Sequence, residues 1–248
     1  MIGAPAFTGA AAFRMGAGLV QVAAPRHILT AILTITPEMT GLGLAKSASD
    51  KALMQAAAAA DALVIGPGLG QSALARHCLR QLMRLDKPAV LDADALNLLA
   101  HYRRWPGDLR LKAVLTPHPG EMARLARLLG RDSVPADNSG RIHLAQIAAR
   151  AFRQIIVLKG HRTVVADGRK YYVNETGDST LSKAGAGDIL SGMLGCLLAQ
   201  GLDRFDAAVL AVHLHGRTGE IAGSLHTRRG ASAGDIINAI PQATAEAT

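Results

Sequence analysis

The sequence predicts an α/β domain of three layers: a mostly parallel central sheet, helices on both faces and antiparallel strands at one edge. Three observations carry this reading. Short, continuously apolar runs such as Ala62-Leu63-Val64-Ile65, Ala89-Val90-Leu91-Asp92, Ala113-Val114-Leu115 and Ile155-Ile156-Val157-Leu158 alternate with helical stretches, as strands covered on both faces do. A loop rich in glycine, proline or polar residues follows each of them. Late in the chain, Thr163-Val164-Val165-Ala166 and Lys170-Tyr171-Tyr172-Val173 flank Asp167-Gly168-Arg169, a hairpin signal.

The elements follow in order. Phe7 to Ala17 is alanine-rich and predicts a helix ended by Gly16 and Gly18, and residues 19–24 predict a strand closed by Pro25. Ser49 to Ala60 is a strong helix former, and the strand at 62–65 leads into Gly66-Pro67-Gly68-Leu69-Gly70. Helices are predicted over 72–85, 96–102, 121–129 and 141–152, with a polar loop over 131–140. After the hairpin, Ala184-Gly185-Ala186-Gly187 opens a helix to about Ala199, followed by helices from Arg204 to Ala222 and from Ala233 to Ile240. The tail from Gln242 to Thr248 is expected to fray. No linker, repeat or low-complexity tract divides the chain, so residues 1–248 are read as one domain.

Composition narrows the function classes. Of 248 residues, 49% are hydrophobic and only 3% aromatic, so Ala, Leu, Ile and Val must build the core. The net charge of +8 favours phosphate-rich small molecules. Its scatter, without a dense basic run or aromatic platform, argues against nucleic acid. No run of 18 apolar residues suggests a membrane span, and residues 1–24 lack the basic start of a leader. Cys78 and Cys196 lie in apolar helical stretches outside any metal spacing, as buried thiols in a reducing, cytoplasmic setting would.

Ligands of such sheets sit at the carboxyl ends of the strands. The loops 66–70, 92–97, 116–121 and 159–163 should therefore gather along one rim, with 184–188 beside them. Small residues in the last loop let backbone N–H groups approach an anion at a helix start. Asp188 follows, where it can meet a hydroxyl attacking phosphorus, although a helix N-terminus also lowers a carboxylate pKa. Asp92 and Asp94, two apart at a strand end, can share a side and, with Asn97, bind Mg²⁺-phosphate or hydroxyls. His118 is held between Pro117 and Pro119. Lys159 precedes the hairpin and suits a phosphate. Asn174 to Ser182 is read as a flap. His213 and His215 do not share a helical face and are read as structural or solvent-facing. Each feature also has a purely structural reading: a capping aspartate, a strand-to-helix turn, a helix start, an edge turn.

Taken in order, GAGLV, GPGLG, DADALN, TPHPGE, KG-x-x-T, N-x-TG and GAGD-x-L-x-G resemble the NAD(P)H-hydrate dehydratase family, with its ribokinase-like fold. The resemblance runs from Gly3 to about Ala222. It implies an enzyme in which ADP, with ATP as the other candidate donor, phosphorylates the hydroxyl of hydrated NADH or NADPH. Loss of phosphate then restores the nicotinamide and leaves AMP. It implies Asp188 as the catalytic residue. Ala4, Gly68, Gly70, Asn97 and His118 would face the hydrated dinucleotide, and Asp94 would lie near the shared cleft. Lys159, Gly160, His161, Arg162, Thr163, Gly185 and Gly187 would bind nucleotide, with Mg²⁺ as cofactor and no protein-built metal cage. A homo-oligomer and a separate epimerase acting on the same metabolite are implied as well. Two departures stand out. The family's G-G-T-G-D reads Ala184-Gly185-Ala186-Gly187-Asp188 here, losing a threonine hydroxyl. The chain also opens at what resembles the end of the family's first glycine-rich loop, so either the start is misassigned or a preceding strand is absent, a loss that would leave sheet backbone unpaired. A small-molecule kinase of the same fold and a non-catalytic nucleotide binder are the other readings.

Overall fold

The computed structural model describes residues 1–44 and 49–246. Its main sheet has six strands in sequential order: β3 (Leu63–Ile65), β4 (Pro88–Leu91), β5 (Lys112–Leu115), β6 (Ile155–Leu158), β7 (Val164–Ala166) and β8 (Tyr171–Val173). The first four are parallel, and β6–β7–β8 are antiparallel. This is the predicted mixed sheet, with the hairpin at its edge.

Alternation along the strands splits the core into two layers. Ala89, Leu91, Ala113, Leu115, Ile156 and Leu158 face one side. There they meet α3 (Ser49–Ala59), α4 (Ala73–Leu82), α5 (Ala93–Ala100), the short α6 (Trp105–Asp108), α7 (Pro119–Ala126) and α8 (Asn138–Phe152). Val90, Val114, Val157 and Val165 face the other side. That side is covered by α1 (Gly3–Arg14), α9 (Ala186–Ala199), α10 (Arg204–His226) and α11 (Ala233–Ala245). Sequential parallel strands joined by right-handed crossovers put their helices on one face, which leaves the opposite face for the first and last helices.

One sheet is expected, yet the described strands form two. β1 (Gln21–Pro25) pairs in parallel with β2 (Thr40–Leu44) through α2 (Arg26–Ile35), and this pair does not hydrogen-bond to β3. A cavity of about 630 Å³ lies between, lined by Val22 and Ala24 of β1, Leu63 and Ile65 of β3, and Gly195 of α9. The burial of β1 alternates, so it is covered on one face rather than two. Neither α2 nor β2 is predicted from the sequence. In β2, Gly41 and Gly43 leave room for Leu29, Leu33 and Arg26 of α2.

Other boundaries move by a few residues. α1 starts at Gly3, and α5 starts at Ala93, earlier than expected. The tail is helical through Ala245 rather than frayed from Gln242, anchored by Ile240 and Ala243. Ala247 and Thr248 of that prediction lie outside the described residues. Cys78 and Cys196 are buried and take part in no disulfide.

Candidate active site

The rim loops do converge. Gly70 N–H donates to the Asp94 carboxylate at 2.8 Å, joining 66–70 to 92–97. Lys159 N–H donates to the Pro117 carbonyl at 2.9 Å, joining 159–163 to 116–121. The Lys159 ammonium then reaches Asp92 at 2.7 Å and lies 4.0 Å from Glu121. A side chain on Gly187 would sit 3.4 Å from that ammonium, so the start of α9 closes over it.

Local backbone chemistry sets this geometry. Gly66 has φ +128° and a Cβ there would overlap the Asp92 carbonyl, so only glycine fits. Gly185 caps α9 in the left-handed region with no side-chain cap, which leaves N–H groups of the first turn for a ligand. Gly68 packs on the backbone of Met1 and on Pro5 and Ala4, placing the buried Ala4 against the 66–70 loop. Gly70 has open space around it.

Asp188 is half-buried in the first turn of α9, and its carbonyl accepts from Thr8 at 3.1 Å. Its carboxylate has no hydrogen bond from the described residues. The helix N-terminus does not keep this acid strong. Burial, then the charge of Asp92, raise its pKa to about 6, against the pull of Lys159. Asp92 and Asp94 do not act as a pair, because chain direction changes at Ala93 (φ +47°). Asp92 gives one oxygen to Lys159 and the other to Ser191 at 2.8 Å. Each of its oxygens therefore holds one protein group.

His118 is the N-cap of α7. Its Nδ1 accepts from Gly120 and Glu121 N–H, and the Glu121 carboxylate accepts from His118 N–H at 2.8 Å. This capping box fulfils the helix-start reading and still leaves the ring half exposed on the rim. Burial, Lys159 and Arg124 lower the His118 pKa, against the pull of Asp92. Asn97 joins the group through Arg124, which donates to its side-chain oxygen at 2.9 Å.

The remaining predicted positions spread along the same loop. Gly160 (φ +134°) and His161 are exposed, Thr163 donates to the Gly160 carbonyl at 2.9 Å, and Arg162 turns outward to pair with Glu175. The segment 174–182 is no loose flap: Thr176 donates to the His213 carbonyl, and Gly177 N–H donates to Glu220, bolting it to α10. His215 is buried against the backbone of Ala186.

Sequence reasoning missed three residues. Ser191 lies one turn after Asp188, a signal that helical spacing carries. Buried Arg141 holds the carbonyls of Leu158, Lys159 and His161; a cation on the core side of an alanine-rich helix was its only trace. Thr8 gave none.

Strand-end loops meeting at an uncapped, glycine-led helix start place the fold in the ribokinase-like class, and a ribokinase-like superfamily protein from Enterococcus faecalis superposes with a TM-score of 0.81 at 25% identity, covering 98% of this chain and 82% of that one. Within that class, the model for NAD(P)H-hydrate dehydratase matches residues 1–242, and the chain belongs to that family. A bifunctional NAD(P)H-hydrate repair enzyme from Moorella thermoacetica is 39% identical over 96% of this chain but only 47% of its own length. The chain thus spans about half the length of the first curated relatives it matches. An ADP-dependent (S)-NAD(P)H-hydrate dehydratase from Neisseria meningitidis is 38% identical, over 89% of this chain and 73% of the relative. The crystal structure of an ADP/ATP-dependent NAD(P)H-hydrate dehydratase from Bacillus subtilis, co-crystallised with ATP/Mg²⁺ and soaked with CoA, superposes with a TM-score of 0.80. It is 28% identical, covering 99% of this chain and 87% of that one.

Proposed function

We propose that this protein uses ADP to dehydrate hydrated NADH and NADPH, restoring the dinucleotide and releasing AMP and phosphate. The observation that carries this is the unpartnered Asp188 carboxyl, with a pKa raised to about 6, on the first turn of α9 beside Lys159. A base poised near neutral pH suits removal of a hydroxyl proton as phosphorus is attacked. In the first step the substrate hydroxyl oxygen bonds to the terminal phosphorus of ADP, AMP leaves and Asp188 accepts the proton. In the second, the C–O bond breaks with its electrons on phosphate, and the adjacent ring carbon gives up a proton to form the double bond.

Ala4, Gly68, Gly70, Asn97 and His118 form the dinucleotide side of the cleft in this reading. Lys159 to Thr163, Gly185 and Gly187 form the nucleotide side. Backbone N–H groups at the α9 start hold phosphate, and the Lys159 ammonium offsets its charge. Among the described residues, no three His, Cys, Asp or Glu side chains form a metal cage. Mg²⁺ would enter with the nucleotide, held chiefly by its phosphates and by water. When bound, Mg²⁺ supplies charge neutralisation on the phosphates. The (S) form named for the Neisseria relative supports the same epimer as the substrate here, with an epimerase converting the other. No helix among the described residues is long and apolar enough to cross a membrane, and the proposed site of action is the cytoplasm.

Purified protein given hydrated NADH, ADP and Mg²⁺ should regain NADH absorbance, with ATP less effective and Asp188→Asn inactive. A stable phosphorylated product would replace this reading with a kinase. Nucleotide binding without turnover would leave a silent binder.

A further inference from the structure

Asp92 is the most enclosed carboxylate of the rim, only 1% exposed. An isolated buried carboxylate is costly, and even a paired one is often no better for stability than an apolar residue of the same size. Its setting is heavily determined. It follows β4, its carbonyl closes against Gly66, and the next residue, Ala93, is forced to φ +47°, a strain that persists only where surroundings impose it. Its two oxygens are divided between groups from opposite sides of the site. Oδ1 takes the Lys159 ammonium at 2.7 Å and Oδ2 takes the fully buried Ser191 hydroxyl at 2.8 Å. Ser191 lies three residues after Asp188 on α9, on the same helical face. The chain Ser191–Asp92–Lys159 therefore ties the end of β6 to the helix that carries Asp188.

We propose that Asp92 and Ser191 are positioning residues, which hold the Lys159 ammonium over the first turn of α9 and fix Asp188 relative to it. The proposal rests on the reading of Asp188 as the group that meets the substrate hydroxyl. Without Asp92, the flexible lysine stem has no fixed address, and its charge is free to pair with Asp188 itself. With Asp92, the ammonium is held as a point charge for phosphate, and Asp188 stays open. The groups acting on Asp188 are Asp92 from the α5 start and Lys159 from the end of β6. Glu121 and His118 of α7 and His215 of α10 act on, or feel, Lys159 in turn.

The test uses Asp92→Asn, which keeps shape and removes charge, and the milder Ser191→Ala. The Asp188 carboxyl is titrated by ¹³C NMR in the free enzyme, a readout independent of turnover. Asp92→Asn should lower the Asp188 pKa clearly and Ser191→Ala slightly. Under the same conditions kcat should fall about a hundredfold for Asp92→Asn, the scale of a misplacement near 1 Å, with KM for the hydrated dinucleotide little changed. Lys159→Met and the Lys159→Met/Asp92→Asn double variant should lose equal activity, since Asp92 acts through Lys159. An Asp188 titration unmoved in both single variants, or fully additive losses, would overturn the proposal. If the wild type lacks dehydratase activity, the NMR titration still decides whether Asp92 sets Asp188, and only the functional reading fails.

Discussion

At the scale of single residues, Asp188 and His215 link stability to pH in opposite directions. The Asp188 pKa is raised to about 6, so its contribution is fully present below the unfolded value near 4 and is lost as pH rises through 6. Burial lowers the His215 pKa to about 4, so its contribution is present above about 6.5 and is lost as pH falls toward 4. Between pH 4 and 6 the two slopes oppose each other. Asp188→Asn should therefore stabilise the protein at pH 7–8 while removing activity. At ~1.4 kcal/mol per pKa unit, discounted for solvent around a half-buried carboxyl, the gain is about 1–2 kcal/mol. The two proteins should converge below pH 4. His215→Gln should instead flatten the loss of stability toward acid. Urea unfolding from pH 4 to 8 checks both, and parallel curves for wild type and variants would refute the linkage. Asp188 was legible in the sequence because a glycine-led helix start announces it. Its raised pKa was not, because burial by distant elements and the charge of Asp92, at the end of β4, produce it.

At the scale of elements, the rim depends on loops whose shape is imposed from behind. The Arg141 guanidinium of α8 donates to the carbonyls of Leu158, Lys159 and His161, holding the Lys159 loop much as a ligand would. Arg141→Met should leave those carbonyls without a buried donor and cost about 2–4 kcal/mol, since bonds to a charged group are worth roughly 1.5–3 kcal/mol each and water can replace some of them. The Kd for ADP should rise more than the KM for hydrated NADH, by calorimetry and kinetics respectively. A contrasting pair tests the 66–70 loop. Gly66→Ala combines positive φ with overlap of the Asp92 carbonyl, whereas Gly70→Ala meets open space at φ +74°. Denaturation should show Gly66→Ala losing at least about 2–3 kcal/mol and Gly70→Ala only about 1 kcal/mol. The elements that sequence missed are the ones with weak local signals. Thr40-Gly41-Leu42-Gly43-Leu44 carries two glycines that weaken a strand signal, and α2 is rich in β-branched residues. Only the packing of α2 on β2 makes those glycines sensible. The four main parallel strands had no such ambiguity, because each is a short apolar run ending in a glycine, proline or polar loop.

At the scale of the whole molecule, apolar alternation foretold strands but not which strands pair, and so a single sheet was read where the described strands form two. With no hydrogen bonds between β1 and β3, helix packing must join the β1–β2 pair to the six-stranded sheet. One joint is α1, which packs on α2 and β1 on one side and on α9 on the other. At Gly192 of α9 the helices approach so closely that a Cβ would overlap the Thr8 carbonyl, with Ala11 also in contact. Thr8 donates to the Asp188 carbonyl from the same stretch of α1, and Ala4, one turn earlier, packs against Gly68. Gly192→Ala therefore has to push α1 outward, because its obstacle is backbone and not a side chain that can rotate. Overpacking of this kind costs about 1–3 kcal/mol. The displacement should reach function as well, since moving α1 moves Ala4 off the 66–70 loop and loosens the turn that bears Asp188. The expected result is a lowered Tm together with a KM for hydrated NADH raised severalfold and a smaller change in ADP affinity, because the Lys159 loop hangs from Arg141 and not from α1. Gly195, one turn along α9, faces the Val64 side chain instead. Gly195→Ala should cost stability with little effect on KM. Equal effects of the two substitutions on KM would mean that α1 does not couple the two halves to the site.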